Sequence, residues 1–123
     1  MAAQKVKLGI IGLGRWARVL TRAAKISEQL EIVSGFTRTP EKRDAFTKET
    51  GIACPASMEA LLADKDIKGV ILTVPNEQHL PVAETAAKAG KHVYTEKPIA
   101  DTLENGLRIE ALENQYGIRV MVG

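Results

Sequence analysis

The sequence predicts a doubly wound α/β domain built on a parallel sheet. Three observations predict it. Strand-length apolar runs alternate with helical patterns along all 123 residues. Several runs, such as Gly69-Val70-Ile71-Leu72, are continuously apolar rather than alternating, which marks strands covered on both faces by helices. The first run also leads directly into a glycine turn that opens a helix, Gly12-Leu13-Gly14-Arg15-Trp16-Ala17. Strand, helix and strand in repetition give parallel neighbours joined by crossovers. About six strands are expected.

The elements follow in order. Val6–Ile11 reads as a buried strand, and residues 15–27 as a helix with Ala17, Leu20, Ala24 and Ile26 on its inner face. Residues 31–36 form a second strand. Thr39 then caps a helix with Pro40 in its first position, where a missing N–H costs nothing. That helix reaches Thr50, and Gly51 supplies a left-handed stop. Residues 52–54 read as a short third strand, and Ser57 caps a short helix through Leu62. Residues 69–73 are a fourth strand, 79–89 a helix ended by Gly90, and His92–Thr95 a fifth strand. Asp101 and Glu104 read as a capping box opening a helix to Tyr116. Gly117 ends it before a sixth strand at 118–122.

Composition bounds the function classes. Hydrophobic residues make up 45% and charged residues 26%, ordinary for a globular domain able to bury a core. Seventeen basic residues against 15 acidic ones, net +2, are too even to argue for nucleic acid or a membrane surface. The first residues lack a signal-peptide layout, and no stretch approaches the roughly 20 apolar residues of a membrane span. A single cysteine, Cys54, cannot form an internal disulfide and reads as a small packing residue. The expected compartment is the reducing cytoplasm, and no metal site is expected. The final strand stops where ligands bind in this architecture, so residues 1–123 are expected to be one domain of a longer, two-domain protein.

The glycine turn points to a dinucleotide. Gly12 allows the tight turn, Gly14 lets backbone approach a pyrophosphate, and Ala17 lets the helix pack closely on the strand. The helix start, with Leu13, Arg15 and Trp16 around it, offers free N–H groups and partial positive charge to phosphates. Trp16 reads equally as a wall beside the cofactor or as a ring packed on the helix's neighbours. An NAD-preferring domain carries an acidic residue at the end of the second strand. Here that end is Ser34-Gly35-Phe36-Thr37-Arg38-Thr39. Thr37 can donate to a phosphate and Arg38 can fork onto it, which favours NADP over NAD.

Two further segments reach the same carboxyl edge of the sheet. Thr73, Val74, Pro75, Asn76 and His79 follow the fourth strand, and Asn76 and His79 are candidates to bond a ribose or amide. Asn76 reads otherwise as a turn residue, and His79 as a surface residue at a helix start. Glu96-Lys97-Pro98 follows the fifth strand. Lys97 can stabilise negative charge developing on a substrate oxygen, Glu96 can orient it or touch the nicotinamide ribose, and Pro98 can fix the turn. The plain alternative is a surface Glu-Lys pair before a helix.

These motifs and their spacing resemble the N-terminal domain of the Gfo/Idh/MocA family: glucose-fructose oxidoreductase, inositol dehydrogenase and rhizopine-catabolism oxidoreductase. The marks are Gly12-Leu13-Gly14-Arg15-Trp16-Ala17, Thr73-Val74-Pro75-Asn76 with His79, and Glu96-Lys97-Pro98. The resemblance implies a Rossmann NAD(P)-binding domain of an oxidoreductase acting on the secondary alcohol of a sugar, cyclitol or dihydrodiol. It implies that Lys97 is the catalytic lysine and that the bond before Pro98 is cis. It also implies a C-terminal α/β domain bearing most substrate contacts, an acid/base residue and a homo-oligomer interface. No such domain follows Gly123, so this chain alone is expected to bind cofactor and turn over little. The alternative is a stand-alone dinucleotide-binding sensor or regulatory module. A catalytic Glu96-Lys97-Pro98 motif, which a sensor does not need, favours the enzyme. A coenzyme A or nucleotide-sugar binder on the same architecture fits the motif set poorly.

Overall fold

A computed structural model describes residues 5–97 and 99–123. Among them five parallel strands form one sheet. They are β1 (Val6–Ile11), β2 (Leu30–Phe36), β3 (Ile67–Leu72), β4 (His92–Thr95) and β5 (Val120–Val122), in spatial order β2-β1-β3-β4-β5. The helices are α1 (Arg15–Lys25), α2 (Pro40–Thr50), α3 (Met58–Ala63), α4 (His79–Lys88) and α5 (Leu103–Tyr116). The fold is therefore the predicted parallel α/β Rossmann type.

Alternation along the strands sorts the core into two layers. Ile10 and Ile71 point to one face, where they meet Ala17 of α1 and Phe46 of α2. Their neighbours Ile11, Val70 and Leu72 point to the other, against Leu61 of α3, Ala83 of α4 and Ile109 of α5. This is why the central runs carry no polar alternation. The chain leaves β1 towards β2, then returns past it to β3. The direction of winding reverses there, and the crevice beyond the carboxyl ends of β1 and β3 is where such sheets bind ligands.

Four local expectations need correction. Residues 52–54 make one isolated bridge, Ser34 to Ala53, so the sheet has five strands rather than six. The Gly35 N–H donates to the Ala53 carbonyl (3.0 Å), and Pro55, without an N–H, cannot carry the ladder further. Helix α1 ends at Lys25, and Ile26 lies past its last turn, 87% exposed. Thr21 takes the inner position instead, its hydroxyl donating to the Ala17 carbonyl (2.7 Å). Helix α5 is capped by Thr102, whose hydroxyl accepts from the Asn105 N–H (3.1 Å), and not by an Asp101–Glu104 box. Asp101 accepts instead from the Asn105 side-chain amide (2.8 Å). Thr39 occupies the start of α2 ahead of Pro40 as predicted, but its side chain makes no capping bond. Ser57 does cap α3, accepting from the Ala60 N–H (3.1 Å). Among the described residues no helix is long and apolar enough to cross a membrane.

Candidate functional site

The glycine turn is built by two neighbouring strands. The Gly12 N–H donates to the Phe36 carbonyl at the end of β2 (2.8 Å), and the Thr73 N–H donates to the Ile11 carbonyl (2.9 Å). The Thr73 hydroxyl donates to the Gly12 carbonyl (2.5 Å). Gly12 has φ +98°, and a Cβ there would lie 2.7 Å from the Thr73 carbonyl carbon and oxygen. Conformation and close approach both demand glycine at position 12.

Gly14 is constrained differently. Its φ of −85° suits any residue, and a Cβ there would meet nothing within 4 Å. Helix α1 begins at the next residue with no side-chain cap, so its first N–H groups have no intrahelical partner. Ala17, fully buried, lets α1 sit close to the sheet. An open cradle at Gly14 in front of an uncapped helix start fits a pyrophosphate.

A cleft of about 560 Å³ opens over this turn. It is lined by Gly12, Leu13 and Gly14, by Thr37 and Arg38 after β2, and by Thr73, Val74 and Pro75 after β3. The sequence motifs thus converge on one cavity from three strand ends. Lys42 of α2 also lines it, and lines a second recess of about 340 Å³ with Thr37, Gly14 and Arg18. Lys42 escaped the sequence reading because it lies in a charge-rich helix whose pattern does not say which lysine turns inward.

The other candidate residues lie outside that cavity. Arg15 and Trp16 are exposed on the first turn of α1, and Trp16, half exposed, packs into neither core layer. Asn76 is exposed at the start of a 3₁₀ turn, Asn76–Gln78, and its carbonyl accepts from the His79 N–H. His79 differs from both sequence readings: it is 1% exposed, neither a surface residue nor free to bond a ribose. Its Nε2 lies 3.0 Å from the Val74 carbonyl, and its Nδ1 3.1 Å from both the Ile99 carbonyl and the Thr95 hydroxyl. The ring therefore braces the loop after β3 against the loop after β4. Thr95, fully buried, completes that brace and carried no local signal of it.

Glu96 is half-buried and Lys97 exposed at the same carboxyl edge, just past β4. Among the described residues the two side chains do not pair with each other. Pro98 and its expected cis bond lie outside the described residues. At the end of β5 the Gly123 N–H donates to the Thr95 carbonyl (2.8 Å). A Cβ on Gly123 would run into the Tyr94 hydroxyl and come 3.3 Å from Glu96 Oε1. Tyr94, absent from the sequence reading, thus places its hydroxyl, like the Glu96 carboxylate, beside Gly123.

Known proteins decide the family. The family model described as "Oxidoreductase family, NAD-binding Rossmann fold" (GFO_IDH_MocA) matches residues 6–123. This chain belongs to the Gfo/Idh/MocA family. The 1,5-anhydro-D-fructose reductase of Ensifer adhaerens is 33% identical over 111 residues, covering 89% of this chain and 33% of that protein. An oxidoreductase of Desulfitobacterium hafniense described as NADPH-dependent superposes with a TM-score of 0.94 at 43% identity, over 98% of this chain and 35% of that one. The WlbA dehydrogenase of Bordetella pertussis, solved with NADH and UDP-GlcNAcA, gives a TM-score of 0.91 at 29% identity, over 98% of this chain and 37% of that one. The chain spans about a third of the length of the curated relatives it matches. The family is described as NAD-binding, and among solved relatives a 3-ketoreductase of Actinomadura kijaniata holds NADP where the WlbA dehydrogenase holds NADH.

Proposed function

We propose that this chain is the cofactor-binding domain of an oxidoreductase that transfers hydride with the secondary alcohol of a sugar, cyclitol or dihydrodiol. NADP is its preferred cofactor and Lys97 its catalytic lysine. The observation that carries the proposal is Gly14, where no protein atom explains the missing side chain and an uncapped helix start stands ready for phosphate. The bound nicotinamide supplies the hydride chemistry. Gly12, Leu13, Gly14, Arg15 and Trp16 belong to the turn that holds the pyrophosphate. Thr73, Val74, Pro75 and Asn76 flank the nicotinamide half, and His79 holds their loop against the one bearing Lys97. The Lys97 ammonium donates to the substrate oxygen and stabilises charge developing there, with Glu96 beside it. Residues 1–123 form one domain of a longer protein, whose remainder supplies the substrate pocket, the acid/base partner and the oligomer interface.

The preference for NADP rests on side chains at the end of β2. The segment from Ser34 to Thr39 carries no carboxylate to take a ribose 2′-hydroxyl, and Thr37, Arg38 and Lys42 line the cleft, while Glu41 lines only the smaller adjoining recess. Arg38→Ala should weaken NADPH about ten-fold or more, the loss of a charge-assisted hydrogen bond, and leave NADH nearly unchanged. Calorimetric titration of the variant with each dinucleotide checks this, and equal losses would contradict it.

A further inference from the structure

Two arginines grip two loops of the cleft by their carbonyls, and Arg18 also lines the adjoining recess. Arg18, in the first turns of α1, donates from Nη1 to the carbonyl oxygens of Leu13 (2.9 Å) and Gly14 (3.3 Å). Arg43, in the first turns of α2, donates from Nη1 to the carbonyl oxygens of Thr37 (2.9 Å) and Arg38 (3.2 Å). The two arrangements match. Each guanidinium bonds two successive carbonyls, and each lies over a phenylalanine ring. Arg18 is 5.9 Å from the centroid of Phe46, and Arg43 is 5.8 Å from that of Phe36. Arg18 is further tied to the Glu49 carboxylate at the end of α2. A guanidinium is planar and permanently charged, so bonds to two carbonyls and an aromatic face leave it little freedom.

The consequence follows from peptide planarity. A carbonyl and the N–H of the next residue belong to one rigid trans unit and point in opposite directions. Drawing the Leu13 and Gly14 carbonyls to Arg18 turns the Gly14 and Arg15 N–H groups away from it, leaving them for an anion. Drawing the Thr37 and Arg38 carbonyls to Arg43 likewise removes two acceptors that would repel a phosphate at that loop.

We propose that Arg18 and Arg43 are paired positioning residues. Arg18 orients the turn that takes the pyrophosphate, and Arg43 orients the Thr37-Arg38 loop that selects the 2′-phosphate. The inference rests on the dinucleotide reading above and deepens it. The two arginines then carry separable signatures, because the pyrophosphate is common to both dinucleotides and the 2′-phosphate belongs to NADP alone. A purely structural role would weaken both dinucleotides together at position 43, and at position 18 would lower their affinity only in step with a loss of thermal stability, since Arg18 also holds Glu49 of α2.

The test is calorimetric titration of the wild-type chain, Arg18→Met and Arg43→Met with NADPH and separately NADH. Methionine keeps an aliphatic stem over the ring and removes the donors. Arg18→Met should weaken both dinucleotides by the same factor, about ten-fold. Arg43→Met should weaken NADPH about ten-fold and NADH less than about two-fold, shifting the ratio of affinities. Arg18→Lys and Arg43→Lys, with one charged donor each, should lie between, and they decide the matter if a methionine variant does not fold. An unchanged NADPH:NADH ratio at position 43, or unchanged affinities at position 18, overturns the inference while the dinucleotide reading stands. A wild type that binds neither dinucleotide overturns both.

Discussion

Gly12 and Gly14 stand two residues apart and answer to different forces. Gly12 is fixed by the protein itself, through positive φ and the Thr73 backbone 2.7 Å from where a side chain would begin. Gly12→Ala should therefore cost roughly 1–3 kcal/mol of stability, read by chemical denaturation. Gly14→Ala meets no protein atom. It should stay within about 0.5 kcal/mol of the wild type in the same experiment yet lose dinucleotide affinity. A Gly14→Ala protein that binds normally would remove the main support for a pyrophosphate at this turn. Both glycines were legible in the sequence because a turn between strand and helix is a local affair. His79 was not. Its burial depends on Ile99, twenty residues away, whose carbonyl faces the ring only once the loop after β4 has docked. Arg18 and Arg43 escaped for a related reason: each reaches back four to six residues to carbonyls that only the folded turn aims at it.

At the scale of elements, the strands and helices were read from period and punctuation, and the errors fall where two local signals competed. Asp101 and Thr102 can each cap a helix, and the backbone chose Thr102, whose extended conformation (φ −135°, ψ 159°) aims its hydroxyl at the Asn105 N–H. Thr102→Ala should cost about 1 kcal/mol, and Asp101→Ala, which loses an exposed side-chain bond, clearly less. Thermal denaturation of the two variants ranks them, and the reverse order would restore the Asp101 cap. Residues 52–54 look like a strand by composition, but pairing ends after one bridge because Pro55 follows. Helices α1 and α2 are joined by the Arg18–Glu49 ion pair, and the hydrogen bond from Arg18 holds the Glu49 carboxyl below its ordinary value of 4.5. A depressed folded-state value means that the pair's stabilisation is fully present above pH 4.5 and is lost as pH falls through the lowered value. Glu49→Gln should flatten the acid limb of a stability–pH curve at low salt, and high salt should shrink the difference because the pair is exposed. An acid limb unchanged in Glu49→Gln would show that other carboxylates carry it.

For the whole molecule, topology explains why one cavity gathers the glycine turn, Thr37 and Arg38, and Thr73 to Pro75. The winding reverses between β1 and β3, and the loops beyond the carboxyl ends of β1, β2 and β3 meet there. That convergence was legible from strand order alone. Lys97 reaches the same edge from β4 but lies outside the lining of the cavity, and the proposal gives the substrate pocket to the rest of a longer protein. The purified chain should accordingly bind a dinucleotide and show no measurable oxidation of sugars, cyclitols or dihydrodiols in a nicotinamide absorbance assay. Turnover by the chain alone would contradict that division of labour. The most direct measurement is calorimetric titration of this chain with NADPH and, separately, NADH. Saturable binding of both with NADPH preferred is the predicted result, uniting the open turn at Gly14 with the Thr37, Arg38 and Lys42 side of the cleft. Preference for NADH would contradict the assignment of that side to a 2′-phosphate, and binding of neither would contradict the cofactor site itself.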